Sequence, residues 1–305
     1  ARDMVHAAAD AGADLVKFQA FRTDQLVSAE SAATAYQQTN TGITRQAELL
    51  RSLELRLDDF AMLAETCRSR GIGFLCTPFD VAIAGELVAR GMSYIKIASG
   101  ELTNTPALKA FAGYGLPILL STGMATLAEV AEAVATLKKA GATDVTLLHC
   151  TSLYPAPMET INLLAMVTMR EAFGCPVGYS DHSLGDHVAI AAVALGACVI
   201  EKHFTLDRKL PGPDHAASLE PDELARMVRR LRETADALGD GIKRPAPGEP
   251  ETAALVRRSW HAARDLSAGA LLAESDMVLK RPATGLAPDS PPVGRRLARP
   301  VGTDR

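Results

Sequence analysis

The chain has 305 residues, 48% hydrophobic and 22% charged, values ordinary for a folded globular protein. Lys and Arg number 32 against 36 Asp and Glu, a net charge of −4, which argues against a nucleic-acid binder held by a basic surplus. The longest apolar run, Val188 to Ile200, is shorter than the ~20 residues that span a bilayer. No leader of basic then apolar residues opens the sequence, so no membrane partner and a cytoplasmic location are expected. Five scattered cysteines (Cys67, Cys76, Cys150, Cys175, Cys198) without a CxxC pair read as reduced thiols.

Residues 1–11 have helical texture. Seven short apolar, β-rich runs follow: Leu15–Gln19, Gly73–Pro78, Tyr94–Ser99, Pro117–Thr122, Val145–Cys150, Pro176–Asp181 and Val199–Phe204. Between them, Leu57–Arg70, Leu127–Lys138 and Leu224–Leu238 carry apolar residues at the 3.6-residue period of an amphipathic helix. Alternating strand and helix predicts parallel βαβ units. No GxGxxG or GxxxxGK[ST] turn follows any strand, which disfavours a doubly wound nucleotide-binding sheet. The expected fold is therefore α/β, a (β/α)8 TIM barrel spanning residues 1–242. Seven strands are one short of eight, so the first strand is expected upstream of Ala1. A Gly- and Pro-rich stretch predicts a linker over 243–256, and the broken apolar pieces of 257–305 predict a small C-terminal module.

Functional groups of such a barrel belong at the C-terminal strand ends. Polar residues collect there: Lys17 and Gln19, Thr77, Lys96 with Ser99 and Glu101, Ser121 and Thr122, His149, Ser180 with His182, and Glu201 with His203. Because residues i and i+2 of a strand share a face, Ser180 pairs with His182 and Glu201 with His203. Lys17 and Lys96 lie in apolar strand sequence, where an ammonium is costly unless paired or meeting an anion. They suit a phosphate or carboxylate ligand, an ion pair with a carboxylate such as Glu101, or a Schiff-base mechanism. His182 and His203 end the last two strands, and with Glu201 or Asp214 they would suit a divalent transition metal. His149 reads as structural, and Thr122 as a helix cap.

Seven motifs in order, VKFQAFRTDQLVS (16–28), FLCTPFD (74–80), YIKIASGELTN (94–104), LLSTGMATL (119–127), LLHCTSLYPAP (147–157), GYSDHSLG (178–185) and IEKHFTLDRKLPGPDH (200–215), resemble the sialic acid synthase family. The tail, with RRSWHAARDLSAGALL and LKRPATGLAP, resembles that family's antifreeze-protein-like (SAF) domain, here partial. The resemblance implies condensation of phosphoenolpyruvate with an N-acylated amino sugar, N-acetylmannosamine or a close analogue, to a nonulosonic acid such as N-acetylneuraminate. Legionaminate and pseudaminate synthases share most motifs, and a catalytically inactive sugar-binding relative is the reading from another class. The resemblance implies phosphoenolpyruvate contacts from Lys17, Thr77, Lys96, Ser99, Ser121 and Ser180, and sugar contacts from Glu101, Tyr154, Asp214 and Arg281. It implies metal ligation by His182 and His203, with Mn2+ expected and Mg2+ or Co2+ as substitutes, and catalytic roles for Glu101, Lys96 and Asp214. Arg281 would come from the partner's tail in a domain-swapped homodimer. The family's first-strand EIGxNHxG-type motif, with its glutamate, is not in this sequence, and Ser152 stands where some relatives have Asn.

Overall fold

The computed structural model describes residues 1–305, which divide into two units, Ala1–Gly239 and Asp240–Arg305. The first unit alternates strand and helix. Its strands are β1 (Leu15–Ala20), β2 (Gly73–Pro78), β3 (Ile95–Ile97), β4 (Ile118–Ser121), β5 (Val145–Cys150), β6 (Val177–Asp181) and β7 (Ile200–Lys202). All pairings are parallel, in a ladder β3-β4-β5-β6-β7 and a separate pair β1-β2. All seven expected strands are present. The hydrogen-bonded sheet is a half-barrel and not one continuous barrel ladder, because no ladder joins β2 to β3.

Helices follow the strands: α1 (Arg2–Asp10) before β1, then α2 (Thr23–Leu26), α3 (Ala35–Thr41), α4 (Gln46–Leu53) and α5 (Leu57–Arg70) between β1 and β2. Next come α6 (Val81–Ala89), α7 (Thr105–Ala112), α8 (Leu127–Lys139), α9 (Leu164–Phe173), α10 (His187–Ala194) and α11 (Pro221–Leu238). The period in α5 does what the pattern predicts: Phe60, Leu63, Ala64 and Cys67 are buried, and each large side chain removed from water stabilises by roughly 1.5–3 kcal/mol. The helix ends at Gly71, whose φ of 66° is the left-handed conformation that a side chain would disfavour. Thr126, not Thr122, caps α8, through a capping box with Glu129. Thr122 instead donates its hydroxyl to the Leu148 carbonyl at 3.0 Å.

Two faces of the sheet bury different things. The helix-facing residues, among them Val16, Phe74, Ile95, Ile97 and Leu120, join the main hydrophobic core. The opposite face carries a second apolar set, Leu75, Leu119 and Leu148, against which Leu15, Tyr94 and Val199 pack. Two residues further along each of these strands stand Thr77, Ser121, Cys150, Lys17, Lys96 and Glu201. An alternating strand puts them on that same face, one layer nearer the C-terminal end. Gly178 leaves room here, since a Cβ would lie 2.7 Å from Leu148 Cδ2. The inner face thus changes from apolar to polar within one residue pair.

In the second unit the later part of the expected linker is helical, as α12 (Glu249–Val256). Pro250 sits in its first turn, where a missing N–H is no loss, and Glu249 accepts from the Ala246 amide at 2.6 Å. Beyond it β8 (Ser259–Ala262) and β9 (Met277–Lys280) pair antiparallel over a small core of Ala262, Leu266 and Leu272. Residues 260–262 and 277–279 lie within these strands. Ala270–Leu272 contributes only an isolated bridge, Leu271 to Arg296.

Candidate active site

The strand ends converge on one carboxylate. Glu201 Oε2 lies 3.1 Å from Lys17 Nζ, and Oε1 lies 3.9 Å from Lys96 Nζ and accepts a 2.7 Å hydrogen bond from Ser180. Lys96 is 2% exposed and donates to Ser121 Oγ at 2.7 Å and to the Ile97 carbonyl at 3.1 Å. Its pKa is brought down to about 8, by burial first and by Lys17 beside it, with Glu201 opposing. For Glu201, burial would raise the carboxyl, but Lys17, Lys96 and the Ser180 hydroxyl outweigh it and hold it well below the usual range. Two ammonium groups therefore share one carboxylate. The local excess of one positive charge, in a dry setting, is what an anionic ligand would neutralise.

Hydroxyls surround this trio. Thr77 Oγ1 is buried with no hydrogen-bond partner, the one inward hydroxyl of this layer left open. Ser99 accepts from the Gly123 amide at 2.9 Å, and a Cβ at Gly123 would meet Ser152 Oγ at 2.3 Å and Ser99 Oγ at 2.8 Å, so the chain approaches closely here. Glu101 is not the lysines' partner: its carboxylate accepts from Asn104 Nδ2 at 2.6 Å within the following loop. The role expected of Glu101 as an ion-pair acceptor falls to Glu201, because inward alternation on β7 brings Glu201 between both lysines.

The two histidines meet one layer further out, with ring centroids 5.3 Å apart. His182 Nδ1 is 2.7 Å from the Thr151 carbonyl, an acceptor, so that nitrogen carries the proton and Nε2 keeps its lone pair. Burial lowers the pKa of both rings, that of His203 to about 3 with help from His182 and Lys17, so both are neutral near pH 7. Asp214 Oδ2 lies 3.8 Å from His203 Nδ1, and its buried Oδ1 has no partner. Burial raises the Asp214 carboxyl. Neutral imidazoles beside a partnerless carboxylate oxygen are donors that fit a divalent transition metal. No three His, Cys, Asp or Glu groups stand close enough to form a complete centre alone, so water or substrate oxygens would complete it.

Tyr154 packs tilted against His182 with centroids 4.1 Å apart and meets His203 edge-on at 5.7 Å. On its other side lies Tyr36 of α3, at 5.0 Å. Burial first, and then the Asp214 charge, raise the Tyr36 hydroxyl. Sequence reasoning missed Tyr36: α3 lies in a long connection without strand-end periodicity, and nothing local marks it. Cys150, 3.7 Å from His182 Nδ1, is the inward member of its pair. His149 points to the helix side and meets the Ile161 carbonyl at 2.6 Å, which fits its structural reading. Arg281 belongs to the second unit, exposed after β9.

A cavity of ≈ 640 Å³ opens between β5, α8 and α9, lined by Met124, Leu127, His149 and Leu164 among others. None of Lys17, Lys96, Glu201, His182 or His203 lines it. Convergence of charged side chains marks the site better than cavity size.

Parallel strands whose C-terminal ends gather cations, hydroxyls and neutral imidazoles form the candidate active site of a (β/α) protein. Comparison with known proteins narrows this. Residues 4–243 match the model of the NeuB family, and the chain belongs to that family. It is 45% identical over 98% of its length to the N,N'-diacetyllegionaminic acid synthase of Legionella pneumophila, of which it covers 86%. It is 33% identical over 94% of its length to the pseudaminic acid synthase of Helicobacter pylori, of which it covers 85%. Among solved structures, the N-acetylneuraminic acid (sialic acid) synthetase of Leptospira borgpetersenii, in complex with citrate, superimposes with a TM-score of 0.74 at 36% identity, over 82% of this chain and 83% of that one. The named relatives are synthases of nonulosonic acids, and this chain is an enzyme of their family.

Proposed function

We propose that this enzyme condenses phosphoenolpyruvate with an N-acylated amino sugar in its open-chain form, giving a nonulosonic acid and phosphate. The observation that carries it is the Lys17–Glu201–Lys96 trio, an anion site one layer below two neutral imidazoles. Lys17 and Lys96 turn from Glu201 toward the phosphate and carboxylate of phosphoenolpyruvate, with Thr77, Ser99, Ser121 and Ser180 as hydrogen-bond partners. The Leptospira relative is a complex with citrate, itself a small polyanion.

His182 and His203 would hold a divalent ion, Mn2+ with Mg2+ or Co2+ as substitutes, with Asp214 close to it through water or the sugar. When bound, such an ion supplies Lewis-acid polarisation of the sugar's aldehyde oxygen. Tyr154, Asp214 and Glu101 position the sugar so that the enol C3 faces the aldehyde carbon, and holding both substrates in line supplies much of the acceleration. Water then adds at C2 and phosphate departs with cleavage of its C–O bond. The strands belong to a (β/α)8 barrel, and the second unit is an antifreeze-protein-like module whose Arg281 contacts the acyl group across a domain-swapped homodimer. A catalytically inactive sugar-binding role is not favoured, since the relatives are named as synthases.

Phosphate release from phosphoenolpyruvate with Mn2+ tests the reading, using N-acetylmannosamine and the diacetamido sugars that the legionaminic and pseudaminic names point to. Release with one of these sugars, lost in His203→Ala, is the expected result. Sugar binding without release overturns it.

A further inference from the structure

The two histidines sit one residue beyond the end of the β6-β7 ladder. That ladder pairs Ser180 with Glu201 and Asp181 with Lys202, and then stops. No ladder hydrogen bond joins His182 to His203, so their spacing depends on what fixes the last rung. The last rung is charged, and it points away from the site.

Asp181 and Lys202 alternate with the inward residues and so face the helix side, where both side chains are sealed, at 0% and 2% exposure. Lys202 Nζ lies 2.8 Å from Asp181 Oδ2 and also donates to the Ser183 carbonyl. Asp181 Oδ1 accepts from the Ser183 amide at 2.8 Å and from its hydroxyl at 2.7 Å. Both carboxylate oxygens are satisfied, and the network spans 181–183 on one strand end and 202 on the other. His182 lies inside that bracket and His203 adjoins it.

Burying such a pair gives little net stability, since a well-packed apolar pair at the same place is often as good or better. Its best-attested use is to fix register, and here register decides where two imidazoles point. We propose that Asp181, Lys202 and Ser183 form a latch of positioning residues that sets the spacing and orientation of His182 and His203 for a divalent ion. The inference rests on the metal reading above. Groups one shell behind metal ligands set ring orientation, and their loss typically weakens metal binding ~10–100-fold.

The test measures metal binding without turnover. Mn2+ titration followed by electron paramagnetic resonance, and the visible absorption of bound Co2+, are compared for the intact protein, His203→Ala and the paired variant Asp181→Asn with Lys202→Met. The paired variant removes both charges at nearly constant volume, so no buried charge is stranded. The latch predicts Mn2+ binding weakened at least about tenfold, with an altered Co2+ spectrum, while circular dichroism shows an intact fold. Wild-type affinity and spectrum in the folded pair overturn it. Should the pair fail to fold, Ser183→Ala removes one hydroxyl and keeps the ion pair. At least a twofold weakening (on the order of one lost neutral hydrogen bond) then supports the latch, and no change overturns it. Unchanged Mn2+ binding in His203→Ala is a separate outcome, which overturns the metal reading and the latch's target with it.

Discussion

Two buried charge clusters lie back to back at the ends of β6 and β7, and they are built oppositely. On the helix side, Asp181 and Lys202 are matched one to one, with Ser183 supplying further hydrogen bonds on both sides of the pair. On the inner side, Lys17 and Lys96 share Glu201, Thr77 Oγ1 has no partner, and Asp214 Oδ1 is left open. In the closed cluster both Asp181 carboxylate oxygens are satisfied, by Lys202 and Ser183. The open one has an uncancelled cation and orphaned oxygens, the state expected of a site completed by substrate. Identical residue types thus divide by how fully their partners are supplied.

Mutation can break this contrast. The largest effect on catalysis is expected at Lys96→Met, which removes a buried cation from the open cluster. Binding energy of a charge-assisted contact is lost, so kcat/KM for phosphoenolpyruvate should fall on the order of a hundredfold, mainly through KM, in steady-state assays of phosphate release. Reductive trapping of a Lys96 adduct would point to Schiff-base chemistry instead. The largest effect on stability is expected at Asp181→Asn alone, which strands Lys202 in the closed cluster. A loss of roughly 3–5 kcal/mol in urea-monitored unfolding is expected, and less than 1 kcal/mol would mean the pair is dispensable. Lys17→Met should behave the other way round. Glu201 keeps Lys96, so stability should change by less than about 1 kcal/mol while kcat/KM for phosphoenolpyruvate drops at least about tenfold.

The smallest effect is a pH dependence. Lys96 titrates near 8 in the folded chain against ~10.4 for an unperturbed lysine. Charge is therefore lost as pH rises through about 8, and kcat/KM for phosphoenolpyruvate should decline above that point. Between the two values the unfolded chain holds the proton and the folded chain does not, so the Lys96 contribution to stability rises with pH over that window. A flat kcat/KM profile from pH 7 to 9.5, together with unfolding curves, would break the assignment of that cation to the substrate site.

How much of this was legible before folding differs from residue to residue. The strands were legible because each is a short apolar run with polar residues at or near its C-terminal end, and the inner layer Lys17, Thr77, Lys96, Ser121, Ser180 and Glu201 follows from counting by two. The pairing of lysines with Glu201 in place of Glu101 was not legible. Glu101 is five residues from Lys96 in sequence, but β7 brings Glu201 between two lysines that lie 79 positions apart in the chain. Tyr36 was invisible for the same reason, since only the docking of α3 makes it the neighbour of Tyr154.

By itself the sequence determined the alternation of strand and helix, the inward face of each strand and the types of chemistry available there. Periodicity and side-chain chemistry are local properties, readable over a few residues. Tertiary structure alone decided which carboxylate meets which cation, which tautomer His182 holds, and which of two neighbouring charge clusters is closed and which is open. Those depend on distances of a few ångströms between residues far apart along the chain, and the folded sheet sets them.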